Sequence, residues 1–267
     1  MILKDKIIVM TGATSGLGTV AAQYALAQGA KLIVLYRNAN LLQPLQGKGE
    51  LIAIQADLSS KKSIKDACIT IKNSYDHVDI LINNAGLWVF GDRRVTHEGH
   101  EMTFMVNVLA PWILIHELAP LLDRSKDPRI INTASALHQG IIQFSDIEFS
   151  KNFTGFKAYR QSKLALILLT RHLAKEKSNW TLVSQHPGVV STSLGREGGW
   201  FSNIFFKIFG ISPEKGAQTL IFLMESDKQL LKSGSYYTNS KEANTTTPMS
   251  RDMNIAEQLA LVLERYS

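Results

Sequence analysis

Short apolar, β-branched runs alternate along this chain with longer stretches of helical periodicity, and that alternation restricts the fold more than any other feature. Ile7–Met10, Lys31–Tyr36, Leu51–Gln55, Asp79–Asn83, Arg129–Thr133 and Leu182–Gln185 read as strands. Helical patterns lie between them, clearest at Leu17–Gln28, Ser63–Tyr75, Glu98–Leu122 and Tyr159–Glu176. Parallel neighbours need a crossover, most often a helix, so the pattern predicts an α/β fold with a mostly parallel, doubly wound sheet and helices on both faces. Neither an internal repeat nor a Pro-, Gly- or Ser-rich linker interrupts it, and one domain over residues 1–267 is the simplest organisation.

With 45% hydrophobic and 19% charged residues, the chain reads as globular, not disordered. A single cysteine, Cys68, allows no intrachain disulfide and sits in an apolar-periodic stretch, as a buried structural thiol would. Charges at Lys4, Asp5 and Lys6 interrupt the N-terminal apolar residues, so no signal peptide is read there. No apolar run of the ~20 residues that span a bilayer is read either. A soluble, cytoplasmic protein is the expectation. The net charge of +6 is dispersed, with no block of five like charges, which argues against nucleic acid and suits attraction of an anionic dinucleotide.

The first strand runs into Thr11-Gly12-Ala13-Thr14-Ser15-Gly16-Leu17-Gly18, and a helix follows at once. Glycines let a backbone turn tightly and approach a pyrophosphate, while the helix start offers unpaired N–H groups and a positive dipole end. The spacing is G-x-x-x-G-x-G, and its position between the first strand and first helix makes it a dinucleotide signal of Rossmann type. Past the second strand comes Tyr36-Arg37-Asn38 in place of an acidic residue that would bind a ribose 2′-hydroxyl. Arginine pairs with a 2′-phosphate that a carboxylate would repel, so NADP(H) is preferred, with NAD(H) the alternative.

Tyr159 and Lys163 stand four apart in a helical pattern and share a face. A free tyrosine, with pKa ~10, is a poor acid or base at neutral pH, and a nearby ammonium favours its phenolate. The pair therefore suits proton transfer to a carbonyl oxygen. Alone, Y-x-x-x-K is a weak signal. Ser135, closing the fifth strand, strengthens it, because an open α/β sheet places its ligand crevice at the carboxyl ends of its strands.

Together these motifs resemble the short-chain dehydrogenase/reductase family, over essentially the whole chain. Thr11 to Gly18 matches T-G-x-x-x-G-x-G, Asn83-Asn84-Ala85-Gly86 matches Asn-Asn-Ala-Gly, and Tyr159 to Lys163 matches Y-x-x-x-K. The resemblance implies cofactor contacts from Gly12, Thr14, Ser15, Gly16, Leu17, Gly18, Arg37, Asp57, Leu58, Asn84, Ala85, Gly86, Pro187, Gly188, Val190 and Thr192, and from Tyr159 and Lys163. It implies catalytic roles for Asn107, Ser135, Tyr159 and Lys163. Tyr159 would exchange the proton, Lys163 lower the tyrosine pKa and hold the nicotinamide ribose, Ser135 position the substrate oxygen, and Asn107 support a water relay. Ser135 to Gly140, Ala158 to Ala165, His186 to Val190, Glu214 to Gln218 and Gly234 to Tyr237 narrow the likeness to the retinol dehydrogenase-like subgroup, which also includes WW-domain oxidoreductases. Ala134 stands where many members carry another serine, and no apolar N-terminal helix like that of the membrane-bound members is read, so a retinoid substrate is not the expectation.

The expected activity is hydride transfer between nicotinamide and an apolar alcohol or carbonyl compound. A non-catalytic NADP(H)-binding regulator and a double-bond reductase are the rival readings. Residues 193–211 are expected to form a substrate lid. Within them the aromatic stretch 200–211 packs over substrate in the first reading and touches a membrane peripherally in the second. Pairing through the long helices containing Asn107 and Tyr159, as family members do, implies a homodimer or homotetramer. The seven histidines lack metal-ligand spacing, and His138 and His186 read as loop or core residues.

Overall fold

Successive residues of the strands divide between two apolar layers, as a period of two demands when both faces of a sheet are covered. Ile7, Val9, Ile33, Leu35, Leu81, Ile130 and Leu182 enter one core cluster, and Ile8, Met10, Leu32, Val34, Ile80, Ile82, Ile131 and Val183 the other. The computed structural model describes residues 2–188, 212–244 and 246–266. Among these, strands β1 (Ile7–Thr11), β2 (Lys31–Tyr36), β3 (Leu51–Gln55), β4 (Ile80–Asn83), β5 (Arg129–Thr133), β6 (Thr181–His186), β7 (Tyr236–Thr238) and β8 (Lys241–Glu242) form one sheet. Its order is β3-β2-β1-β4-β5-β6-β7-β8, parallel throughout except for the closing β7–β8 pair. The chain leaves β1 toward β2 and β3, then crosses back to β4, so the crevice expected of a doubly wound sheet opens at the carboxyl ends of β1 and β4.

Helices α1 (Gly16–Ala27) and α5 (Pro213–Glu225) cover one face; α2 (Lys61–Ser74), α3 (Met102–Leu122), α4 (Gly155–Glu176) and α6 (Met253–Glu264) cover the other. The predicted helix over Glu98–Leu122 starts later, because the Glu101 carboxylate accepts the Thr103 and Phe104 N–H groups at 2.9 and 2.7 Å and caps it. The helix then widens into a π-helical turn over Met105–Leu109 before resuming. By length and composition α3 also corrects the expectation that no run is long enough to span a bilayer: its 21 residues suffice. Its apolar side chains Trp112, Ile113, Leu114 and Leu118 are instead buried in the core against the sheet and neighbouring helices.

Two helices went unread in the sequence. Ser212 caps α5, accepting from the Lys215 N–H with Pro213 in the first turn; Asp252 caps α6, accepting from the Asn254 and Ile255 N–H groups. α6 lies across the outside of α4 and buries Ala256, Leu259, Ala260 and Leu263, so part of the helix face through which pairing was expected is covered from within the chain. Cys68 is fully buried, and burial pushes its thiol up to about 12, as a structural role requires. The proposed lid at 193–211, its aromatic stretch 200–211, Val190 and Thr192 lie outside the described residues.

Candidate active site

The turn after β1 is tied to the strand beside it. Gly12 and Gly16 take positive φ (66° and 53°), the region where glycine is favoured. A Cβ on Gly12 would meet the Ala85 backbone nitrogen at 2.7 Å, and one on Gly18 would collide with the Gly12 carbonyl oxygen. The Thr11 hydroxyl accepts the N–H groups of Asn84 and Ala85, both at 3.1 Å, and the Asn84 side-chain amide donates to Gly12 O at 3.0 Å. Asn84 and Ala85, expected to touch a cofactor, thus hold the glycine-rich turn in place. Ser15 flanks α1 without a side-chain cap, and no acidic residue occupies the first turn, which leaves the N–H groups of that end available for an anion.

Beside this turn, Arg37, Gln55, Asp57, Ser63 and Asp66 line a cavity of about 290 Å³. The Asp57 carboxylate is engaged by the Ser59 N–H and hydroxyl at 2.9 and 2.8 Å, and Asp66 pairs with Lys62 at 2.6 Å. Arg37 is exposed, borders the cavity and has no ion-pair partner among the described residues. Glycines that leave no room for a Cβ, an open helix start and a cavity with an exposed arginine at its edge fit a dinucleotide.

Thr154 caps α4 by accepting the Lys157 N–H, starting the helix one turn ahead of Tyr159. Tyr159, Lys163, Ser135 and Asn107 are all buried. The Ser135 hydroxyl lies close enough to the Tyr159 phenol to favour its ionised form, and Ser135 Oγ accepts the Leu137 N–H at 3.1 Å. Lys163 Nζ donates to Thr133 O at 2.8 Å, at the end of β5. Asn107, inside the π turn, spends its whole amide on packing: Oδ1 accepts the Leu87 N–H at 2.9 Å, and Nδ2 donates to Leu87 O at 2.9 Å and to Ser162 Oγ at 3.0 Å. A Cβ on Gly86 would lie 3.1 Å from Lys163 Nζ and 3.4 Å from Asn107 Oδ1, so that glycine clears the space between them.

The family whose description is "short chain dehydrogenase" matches residues 6–199. The chain belongs to it. Short-chain dehydrogenases use NAD(P)(H), and this one is an oxidoreductase acting on alcohol or carbonyl groups. Human retinol dehydrogenase 14 is 33% identical across 97% of this chain and 85% of its own length. Human retinol dehydrogenase 13 is 32% identical across 96% and 83%. Among solved structures, a Mycobacterium paratuberculosis protein superposes with a TM-score of 0.80 at 24% identity, covering 98% of this chain and 93% of its own, a likeness of fold. The Pseudomonas aeruginosa RhlG/NADP active-site complex superposes with a TM-score of 0.70 at 25% identity, covering 88% and 95%.

Burial holds the Tyr159 phenol above the usual tyrosine range, opposed by the Ser135 hydroxyl. Lys163 Nζ turns to the Thr133 carbonyl and stands 5.7 Å from the centre of the phenol ring. Burial also weakens the hold of Lys163 on its own proton, bringing it down to about 8. At neutral pH the pair is therefore a protonated phenol beside an ammonium that gives up its proton more readily than a free lysine.

Trp88 lies in the segment 87–94 from which the sequence draws apolar pocket residues, and it was not singled out there. Its indole stacks on the Tyr159 ring (centroids 4.7 Å apart, planes 10°) and on Phe90 (4.9 Å, 17°), with Phe156 tilted alongside at 5.9 Å. A Cβ on Gly155 would strike the Val89 carbonyl, so the start of α4 lies directly against this aromatic loop. The signal available was the apolar run Leu87-Trp88-Val89-Phe90 straight after Asn-Asn-Ala-Gly. His138, read as a loop or core residue, is buried with Nδ1 2.6 Å from Ser135 O, and so holds the backbone of the serine. His186 is largely buried at the end of β6, and burial brings it down to about 4, so it is neutral at physiological pH. Pro187 and Gly188 follow it, with Gly188 at φ 87°.

Proposed function

We propose that this chain is an NADP(H)-dependent enzyme interconverting an apolar alcohol and its carbonyl compound. The observation that carries the reading is the buried cluster of Ser135, Tyr159 and Lys163 at the carboxyl end of β5, with the lysine anchored to Thr133 O at 2.8 Å. The bound nicotinamide supplies or accepts the hydride. Around it, Ser135 Oγ holds the substrate oxygen and the Tyr159 hydroxyl delivers a proton to it in reduction, taking one up in oxidation. Lys163 Nζ holds the proton nearest the phenol, and Asn107 positions the Leu87–Phe90 loop against α4. The glycine-rich turn, the start of α1 and Gly86 would hold the dinucleotide, with Arg37 reading its 2′-phosphate.

The Trp88–Phe90–Phe156 wall beside the phenol favours an extended apolar substrate, and the curated relatives named for retinol make retinol and retinal the first compounds to assay. The single cysteine supports a reducing compartment such as the cytoplasm. A homodimer or homotetramer, paired through the helices containing Asn107 and Tyr159, belongs to the same proposal.

Parallel fluorescence titration with NADPH and NADH tests the cofactor. NADPH is expected to bind at least about tenfold tighter, which is ~1.4 kcal/mol. Arg37→Gln is expected to erase that margin while leaving NADH binding unchanged; a preserved margin in the variant removes Arg37 from the reading. Gly18→Ala tests the turn. Its methyl has no space against Gly12 O, a rigid backbone atom, so dinucleotide binding is expected to weaken by two orders of magnitude or so. Unchanged binding would show that the turn is not the cradle.

A further inference from the structure

The described surface holds a second cavity, larger than the one beside Arg37. It measures about 490 Å³ and lies between the second half of α4, the β7–β8 edge and the segment leading into α6. Arg171, Lys175, Lys232 and Arg251 line it against one carboxylate, Glu242. That carboxylate is already engaged: Ser235 Oγ donates to it at 2.7 Å and Lys232 stands 3.5 Å away. Arg171, Lys175 and Arg251 have no ion-pair partner among the described residues.

Two guanidiniums converge here. Arg171 Nη2 reaches Thr246 Oγ1 at 3.5 Å, and Arg251 Nε donates to the same oxygen at 3.2 Å. Arg171 Nε is buried and finds no acceptor among the described residues. Burial first, and the neighbouring Arg251 second, work against the Arg171 charge, with Glu242 the one carboxylate that favours it. Half-buried like charges side by side repel unless an anion sits between them, and the planar fork of arginine fits two oxygens of a phosphate or carboxylate at once.

We propose that this groove is a second anion site, which takes the phosphate monoester group of a ligand between Arg171 and Arg251 with Lys175 at its rim. Arg171 follows Tyr159 by twelve positions on α4, about 18 Å along the axis at 1.5 Å per residue. The cationic cluster thus lies away from Tyr159 along α4, although Tyr236, which lines the same cavity, packs on His138 behind Ser135.

Isothermal titration of the protein with glycerol 3-phosphate, and sedimentation with phosphatidylcholine vesicles with and without phosphatidic acid, test it. Arg171→Gln is expected to weaken phosphate binding at least tenfold, and Lys175→Gln, at an exposed position, severalfold with no effect on folding. Binding of the soluble ester marks a metabolite phosphate as the source; binding of the acidic vesicles alone, lost in both variants, marks a lipid headgroup. Equal affinity in the parent and both variants, or no binding of either probe, overturns the proposal. Because the readout is the difference made by Arg171 and Lys175, it does not depend on whether Arg37 reads a cofactor phosphate.

Discussion

Tyr159→Phe is expected to lower kcat by about a thousandfold, within the range a positioned acid or base contributes, while leaving NADPH affinity and the melting temperature close to those of the parent. The ring is kept, so the stack on Trp88 at 4.7 Å survives and the loss isolates the hydroxyl. Burial raises the phenol pKa, so the group is protonated through the neutral range and ready to donate. Carbonyl reduction should therefore hold steady from acid to neutral pH, whereas alcohol oxidation, which needs the phenol to accept a proton, should climb as pH rises. A single-turnover assay with NADPH and retinal in one direction, and NADP with retinol in the other, checks both arms. Turnover by the phenylalanine variant at the parent rate would remove Tyr159 from the chemistry.

Lys163→Met is expected to move activity and stability in opposite directions. A lysine brought down to about 8 from 10.5 by burial is a charge the folded state accommodates at a cost. Below pH 8 the amine is protonated in both folded and unfolded chains, and the cost is fully present, on the order of 3 kcal/mol. Between about pH 8 and 10.5 the folded chain binds fewer protons than the unfolded one, so this group makes stability rise with pH there. Losing the bond to Thr133 O returns about 1 kcal/mol of the gain. Methionine should thus raise the melting temperature at pH 7 by a few degrees and flatten that alkaline rise, while turnover falls by orders of magnitude. Calorimetry at pH 7 and pH 10 reads the first effect; a lower melting temperature at pH 7 would contradict the burial cost.

The central strands were legible because a doubly covered sheet writes itself as unbroken apolar runs. Lys31–Tyr36 and Arg129–Thr133 match their observed bounds, as does the partly exposed edge strand Leu51–Gln55. Asp79 was read into β4 but sits before it, because its carboxylate accepts the Ile7 N–H at 3.0 Å and the Ser125 hydroxyl at 2.7 Å, a tertiary tie that no local pattern carries. The α6 helix escaped notice although Ile255, Leu259 and Leu263 repeat every four residues, since a polar stretch precedes it and its partner face on α4 is remote in sequence. Within the site, spacing put Tyr159 and Lys163 on one face. It could not reveal which carbonyl would capture the amine, and that decides whether the lysine acts on the phenol directly. Trp88 and the π turn around Asn107 likewise depend on how α4 docks onto a loop some seventy positions earlier.

That distance bears on how the molecule assembles. β1 and β4 are paired side by side, yet Thr11 and the Asn84 and Ala85 amides it receives lie 73 and 74 positions apart along the chain. Closing so long a loop is slow and entropically unfavourable until the intervening β2, β3 and α2 have packed. The phosphate-binding turn therefore has no independent existence as a peptide motif: it gains its shape only when the two halves of the sheet meet. Any dinucleotide held there acts as a clasp on that meeting, favouring the native state as a whole through mass action.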